Sequence, residues 1–228
     1  GQSTPSKPRF VKLVWPWRLD LEFLFEAIRG VRFSPAKESP GSAAAQGITD
    51  TFAAVCLAVP RDAAATHAAL SLVEELGAKA VRIDFSSQYS EAALMPLLEG
   101  LKRAGISVLL HLVQPLQQAK QMPEASAVAA WTGFVETSIA TFSDYIEAVE
   151  LGTTINRAKW AGYNIEGFFA AWEAAYPLVQ ASGLPLIGPN VTDFEPQYNA
   201  GVLGMLQRRQ CLPDIHSNNM FAERAIEP

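Results

Sequence analysis

From about Thr51 onward the chain keeps a beat: an apolar run, a helix-compatible segment, a glycine, and the next apolar run. The runs are Phe52 to Val59, Ala80 to Phe85, Ile106 to Val113, Tyr145 to Leu151, Pro185 to Gly188, and a sixth that begins at Asp214 to His216. Helical spacing fills the intervals: a stretch up to Leu76, then Ser90 to Arg103, Pro123 to Thr141, Asn164 to Ala181 and Ala200 to Arg208. Asn164 reads as an N-cap and Pro177 as a kink. Parallel strands need a long crossover between them, usually a helix, so this alternation predicts βαβ units and a parallel sheet.

Polar residues collect where the runs stop. Arg82 and Asp84 close the second, His111 and Gln114 the third, Thr153, Thr154, Asn156 and Arg157 the fourth. Asn190 and Asp193 follow the fifth, and His216 and Asn218 lie in the sixth. Sites in α/β folds form at the carboxyl ends of strands, and successive polar tips suit a barrel mouth better than the crevice of a doubly wound sheet. No Gly-x-Gly-x-x-Gly follows the first run and no P-loop is present, which speaks against nucleotide binding. The expected class is therefore α/β, a TIM-barrel-type (β/α) domain over residues 51–228. It is expected to be incomplete at its C-terminal end, with about six of the eight units. Residues 1–50 read as an N-terminal appendage and linker. In it, Arg9 to Trp17 suggests a strand, Asp20 to Gly30 a helix with Leu21, Leu24, Phe25 and Ile28 at helical spacing, and Ser34 to Gly47 a linker.

With 49% hydrophobic and 18% charged residues among 228, the chain has the makings of a folded core. A net charge of −5 argues against nucleic acid or an anionic membrane as partner. No apolar run approaches the roughly 20 residues that span a bilayer. Residues 1–6 lack the charged and apolar regions of a signal peptide, so a cytoplasmic location is expected. Cys56 and Cys211 read as small core residues. His67, His111 and His216 lack metal-site spacing, so neither metal nor other cofactor is expected. Oligomeric state is left open.

Three places, Val81-Arg82-Ile83-Asp84-Phe85, Val149 to Tyr163 and Ile215 to Phe221, carry a resemblance to the (β/α)8-barrel glycoside hydrolases of clan A. The β-xylosidase and α-iduronidase-like members are the nearest, over about residues 51–228. The resemblance implies a carbohydrate partner, a polysaccharide or glycoconjugate. In that clan the fourth strand ends in an Asn-Glu pair whose glutamate is the general acid/base; here the aligned positions are Thr153 and Thr154. A hydroxyl cannot replace a carboxylic acid as proton donor to a leaving oxygen. The clan's nucleophilic glutamate, on the seventh strand, would lie beyond Pro228.

Glu150 is thus the best remaining carboxylate for catalysis, but reads more readily as a buried structural partner for Arg82. The expected saccharide contacts are Arg82, Asp84, His111, Thr153, Thr154, Asn156, Trp160, Tyr163, Asn190 and His216, with Arg157 beside them. Asp193 and Glu195 stand as substitute acids or as solvated loop carboxylates. Three functions remain in view: a glycosidase-like enzyme, a degenerate barrel that binds sugar without cleaving it, and an unrelated barrel enzyme acting on a small metabolite.

Overall fold

The computed structural model describes residues 17–33, 53–193 and 195–220. Six strands form one parallel sheet: β1 (Val55–Leu57), β2 (Ala80–Phe85), β3 (Ser107–Leu112), β4 (Ala148–Leu151), β5 (Leu186–Thr192) and β6 (Ile215–Asn219). Their spatial order is their chain order, β1 to β6. A doubly wound sheet reverses direction at a switch point; an unreversed succession curls the sheet one way, toward a barrel. The result is a six-stranded half-barrel of TIM-barrel type.

Helices alternate with the strands: α1 (Trp17–Phe33), α2 (Ala63–Glu75), α3 (Glu91–Arg103), the short α4 (Leu116–Ala119), α5 (Ala125–Phe142), the short α6 (Ala158–Ala161), α7 (Ile165–Ser182) and α8 (Pro196–Arg208). Asn164 caps α7 as expected, its Oδ1 accepting from Gly167 N at 2.7 Å. The expected strand over 9–17 lies outside the described residues apart from Trp17, which is helical, and the 34–47 linker lies wholly outside them.

Alternation along each strand sorts two faces. Val81, Ile83, Phe85, Val108, Leu110, Leu112, Val149 and Leu151 point to the helical layer and are almost fully buried. There Phe85 stacks on Phe134 at 5.6 Å and meets Phe142 edge-on at 5.3 Å. The two large indoles of this layer bury their N–H groups satisfied: Trp131 donates to Ala171 O and Trp172 to Cys211 O, each at 2.9 Å. Arg82, Asp84, His111 and Glu150 take the alternate positions and line the concave face. Cys56, expected in the core, is exposed: it sits on edge strand β1 in register with Arg82. Cys211 is buried.

A register shift between Ile187 and Asn190 against Ile215 and Ser217 marks a bulge in β5. One extra residue inverts the parity beyond it, so Asn190 joins the inner face although it is three residues from Ile187.

Helix α1 packs on α8, where small residues allow close approach. A Cβ at Gly201 would meet the Phe23 ring at 2.8 Å, and one at Gly204 would meet Glu26. Glu26 is buried in this contact and pairs with Arg208 at 3.1 Å. Gly201→Leu should therefore release α1 while sparing the sheet, costing about 1–3 kcal/mol at that contact. Limited proteolysis within residues 17–33 should accelerate, with the main unfolding transition shifted little.

Candidate functional site on the concave face

Register places Asp84, His111 and Glu150 side by side on β2, β3 and β4. Arg82 reaches up among them from one inward position earlier on β2. Its Nε donates to Glu150 Oε2 at 2.7 Å, and its Nη1 to Asp84 Oδ1 at 2.7 Å. Glu150 is 2% exposed, and its second oxygen accepts from Asn190 Nδ2 at 3.2 Å and Ser217 Oγ at 3.0 Å. One carboxylate thus gathers donors from β2, β5 and β6.

His111 is buried, and its Nε2 donates to the Gly152 carbonyl. Its Nδ1 stands 2.6 Å from Arg82 Nη2 and 2.9 Å from Asp84 Oδ1. Bare, that nitrogen accepts from the guanidinium; protonated, it donates to Asp84. Burial would raise the carboxyl pKa of Glu150, but His111 and Arg82 outweigh it, so the group is held below its ordinary value. Asp84 is shifted the same way: burial opposes, and the His111 hydrogen bond and charge and then Arg82 prevail. Burial lowers and Glu150 raises the pKa of Arg82, with a net rise.

The β4–α6 loop is stitched to the end of β5. Asn156 offers its side-chain amide where a neighbouring strand would offer backbone: its Nδ2 donates to Thr192 O at 2.8 Å, and its Oδ1 accepts from Thr192 N at 2.9 Å. Thr154 Oγ1 donates to the same Oδ1 at 2.6 Å and accepts from Thr192 Oγ1 at 2.7 Å. Arg157 bridges Asp193 at 2.7 Å and Glu195 at 2.8 Å. These two loop carboxylates are therefore ion-paired with Arg157. Their hydrogen bonds raise the Arg157 pKa.

Four other residues are placed differently from the rest. His216 projects from the opposite face of β6, toward α8, where its Nε2 meets Asn199 Oδ1. The expectation that it lines the mouth is corrected: Ser217 holds the inward position, and alternation sends His216 outward. Tyr163 is 1% exposed and spends its hydroxyl on Gln114 Oε1 at 2.6 Å, so it is a core residue and not a mouth residue. Burial drives its pKa up. Trp160 is 67% exposed on α6, with Lys159 Nζ 5.6 Å from its ring centroid. Thr153 sits on the loop with its Oγ1 buried and unpartnered, as is Asn190 Oδ1. Ser217 was missed by sequence reading, since only the register of β6 reveals its direction. Among the described residues no three His, Cys, Asp or Glu side chains are grouped to hold a metal ion.

No family model matches the chain, and no curated protein matches it. Among solved structures it is similar to the virulence factor SghA of Agrobacterium tumefaciens bound to the substrate analogue salicin, at 20% identity and TM-score 0.41 over 55% of this chain and 36% of that one. It is also similar to a family 39 glycoside hydrolase of Bacteroides cellulosilyticus, at 16% identity and TM-score 0.45 over 59% of this chain and 30% of that one. An L-ribulose 3-epimerase matches at 10% identity and TM-score 0.49 over 73% of this chain and 59% of that one. The matched part thus spans about a third of the length of the first two.

Two carboxyls with depressed folded-state pKa values stabilise the fold above their ordinary values of 3.8 and 4.5, and that stability fades as pH falls through the lowered values. Denaturation midpoints should be flat above about pH 5.5 and drop steeply below about pH 4. Glu150→Gln should cost about 3 kcal/mol at pH 7, because Arg82 loses its buried partner, and it should flatten the acid limb of the same profile.

Proposed function

We propose that the concave face is the saccharide site of a glycoside-hydrolase-like barrel whose described residues bind a polysaccharide or glycoconjugate without cleaving it. One observation carries the reading: the Glu150 carboxylate is buried, ionised and fully engaged by Arg82, Asn190 and Ser217. A general acid must hold a proton near neutral pH in reach of the leaving oxygen, and a carboxylate shifted downward does not. Thr154, which the resemblance aligns with the clan's acid/base, is locked between Asn156 and Thr192 and has no titratable proton to give. Asp193 and Glu195 are held by Arg157.

What these residues retain is recognition chemistry. The Asp84 side chain is 58% exposed beside His111 and Arg82, a charged acceptor suited to a pair of sugar hydroxyls. Trp160 presents an exposed, flat apolar face on α6. Glu150 serves as the support that aims Arg82, and Arg82 in turn aims Asp84. Among the described residues no helix is long and apolar enough to cross a membrane.

Calorimetric titration with a panel of oligosaccharides, run beside turnover of aryl glycosides, tests the reading. Expected are measurable binding, about a tenfold loss in Asp84→Asn and in Trp160→Ala, and no turnover. Turnover that vanishes in Glu150→Gln would replace the binding protein by an enzyme, and absence of binding to every saccharide would remove carbohydrate altogether.

A further inference from the structure

Helix α1 has two apolar faces, and α8 covers one of them. Phe23, Glu26 and Ala27 are buried toward α8. At 100° per residue, Leu21, Leu24, Phe25 and Ile28 fall within about 50° of a single direction on the other side. They are 54%, 52%, 60% and 46% exposed, the largest cluster of exposed aliphatic and aromatic side chains on any one described helix. A shallow groove runs along them, closed at its sides by Glu22 and Arg208. Four large apolar side chains in one stripe are more than a solvated helix carries without a covering partner.

The order of residues along this stripe is self-complementary. Reversed about a point between Leu24 and Phe25, Leu21 falls opposite Ile28, and Leu24 opposite Phe25. On one flank, Glu22 lies toward the N-terminal end and Arg29 toward the C-terminal end, within about 20° of the same direction. Reversal brings each acidic position beside the other helix's basic one, at a separation that a Glu and an Arg side chain span. The Arg29 side chain is 58% exposed and touches Glu26 only at 3.5 Å, so it can reach outward.

We propose that α1 pairs antiparallel with α1 of a second copy of this chain, about a two-fold axis passing between Leu24 and Phe25. Leu21 and Leu24 then pack on Ile28 and Phe25 of the second copy, and two symmetric Glu22–Arg29 pairs flank the seam. A closed two-fold contact uses the same patch twice and leaves nothing to propagate a fibre. With one helix face per copy the interface is small, so the dimer dissociates on dilution through the micromolar range. The concave face lies on the other side of the helical layer and stays open in the dimer.

Sedimentation equilibrium of the 228-residue chain tests this. The expected result is a reversible monomer–dimer equilibrium that Leu24→Asp abolishes with unchanged circular dichroism. Arg29→Glu should weaken the dimer about five- to tenfold, because the axis repeats the repulsion, and Glu22→Arg combined with Arg29→Glu should restore it. The charge exchange decides the matter even where Leu24→Asp disturbs folding. A monomer at every concentration overturns the proposal, as does a dimer that ignores both the apolar and the charge substitutions.

Discussion

A buried carboxylate needs its charge matched, and the Glu150 side chain meets that need with groups from three other strands. Arg82 arrives from β2, Asn190 from β5 and Ser217 from β6. Backbone pairing holds each strand only to its neighbours; this one side chain holds strands that are not adjacent. The inner face of the half-barrel carries this charged cluster beside Leu109, Ile187 and Ile215, while the outer face carries the apolar core. Where the sheet curls around this charged cluster, hydrogen-bond directions fix its geometry and tolerate less drift than van der Waals packing.

Much of this was legible in the sequence. The alternation from Thr51 gave six strands, their order followed from the beat, and Arg82 within an apolar run demanded a partner such as Glu150. Asn164 announced the start of α7. Direction was harder to read. A strand such as Ile215–Asn219 has polar side chains at successive positions, so composition does not tell which side faces inward, and His216 was placed on the wrong face. Tyr163 followed Trp160 in a polar loop, yet its ring found the core through a partner 49 residues away, Gln114. Cys56 looked internal because its neighbours are apolar, whereas its strand is the sheet edge. Each miss concerns a long-range pairing that local pattern does not encode.

The loop after β4 shows what a threonine at position 154 accomplishes. Its hydroxyl gives one proton and receives another, closing a chain from Thr192 to Asn156. A longer acidic side chain there would have to displace that chain or swing away from it. The loop is therefore ordered at Thr154, and Arg157 fastens its far end.

The bulge at Gly188–Pro189 acts as a phase marker. Upstream of it the strand counts its faces in one phase, downstream in the other. Shortening the segment by a single residue would turn Val191 toward Glu150 and press the Asn190 amide among the helices, exchanging a fitted hydrogen bond for two misplaced side chains. Length at this point is therefore held more tightly than chemistry: replacements that keep the count can be absorbed, and an insertion or deletion cannot.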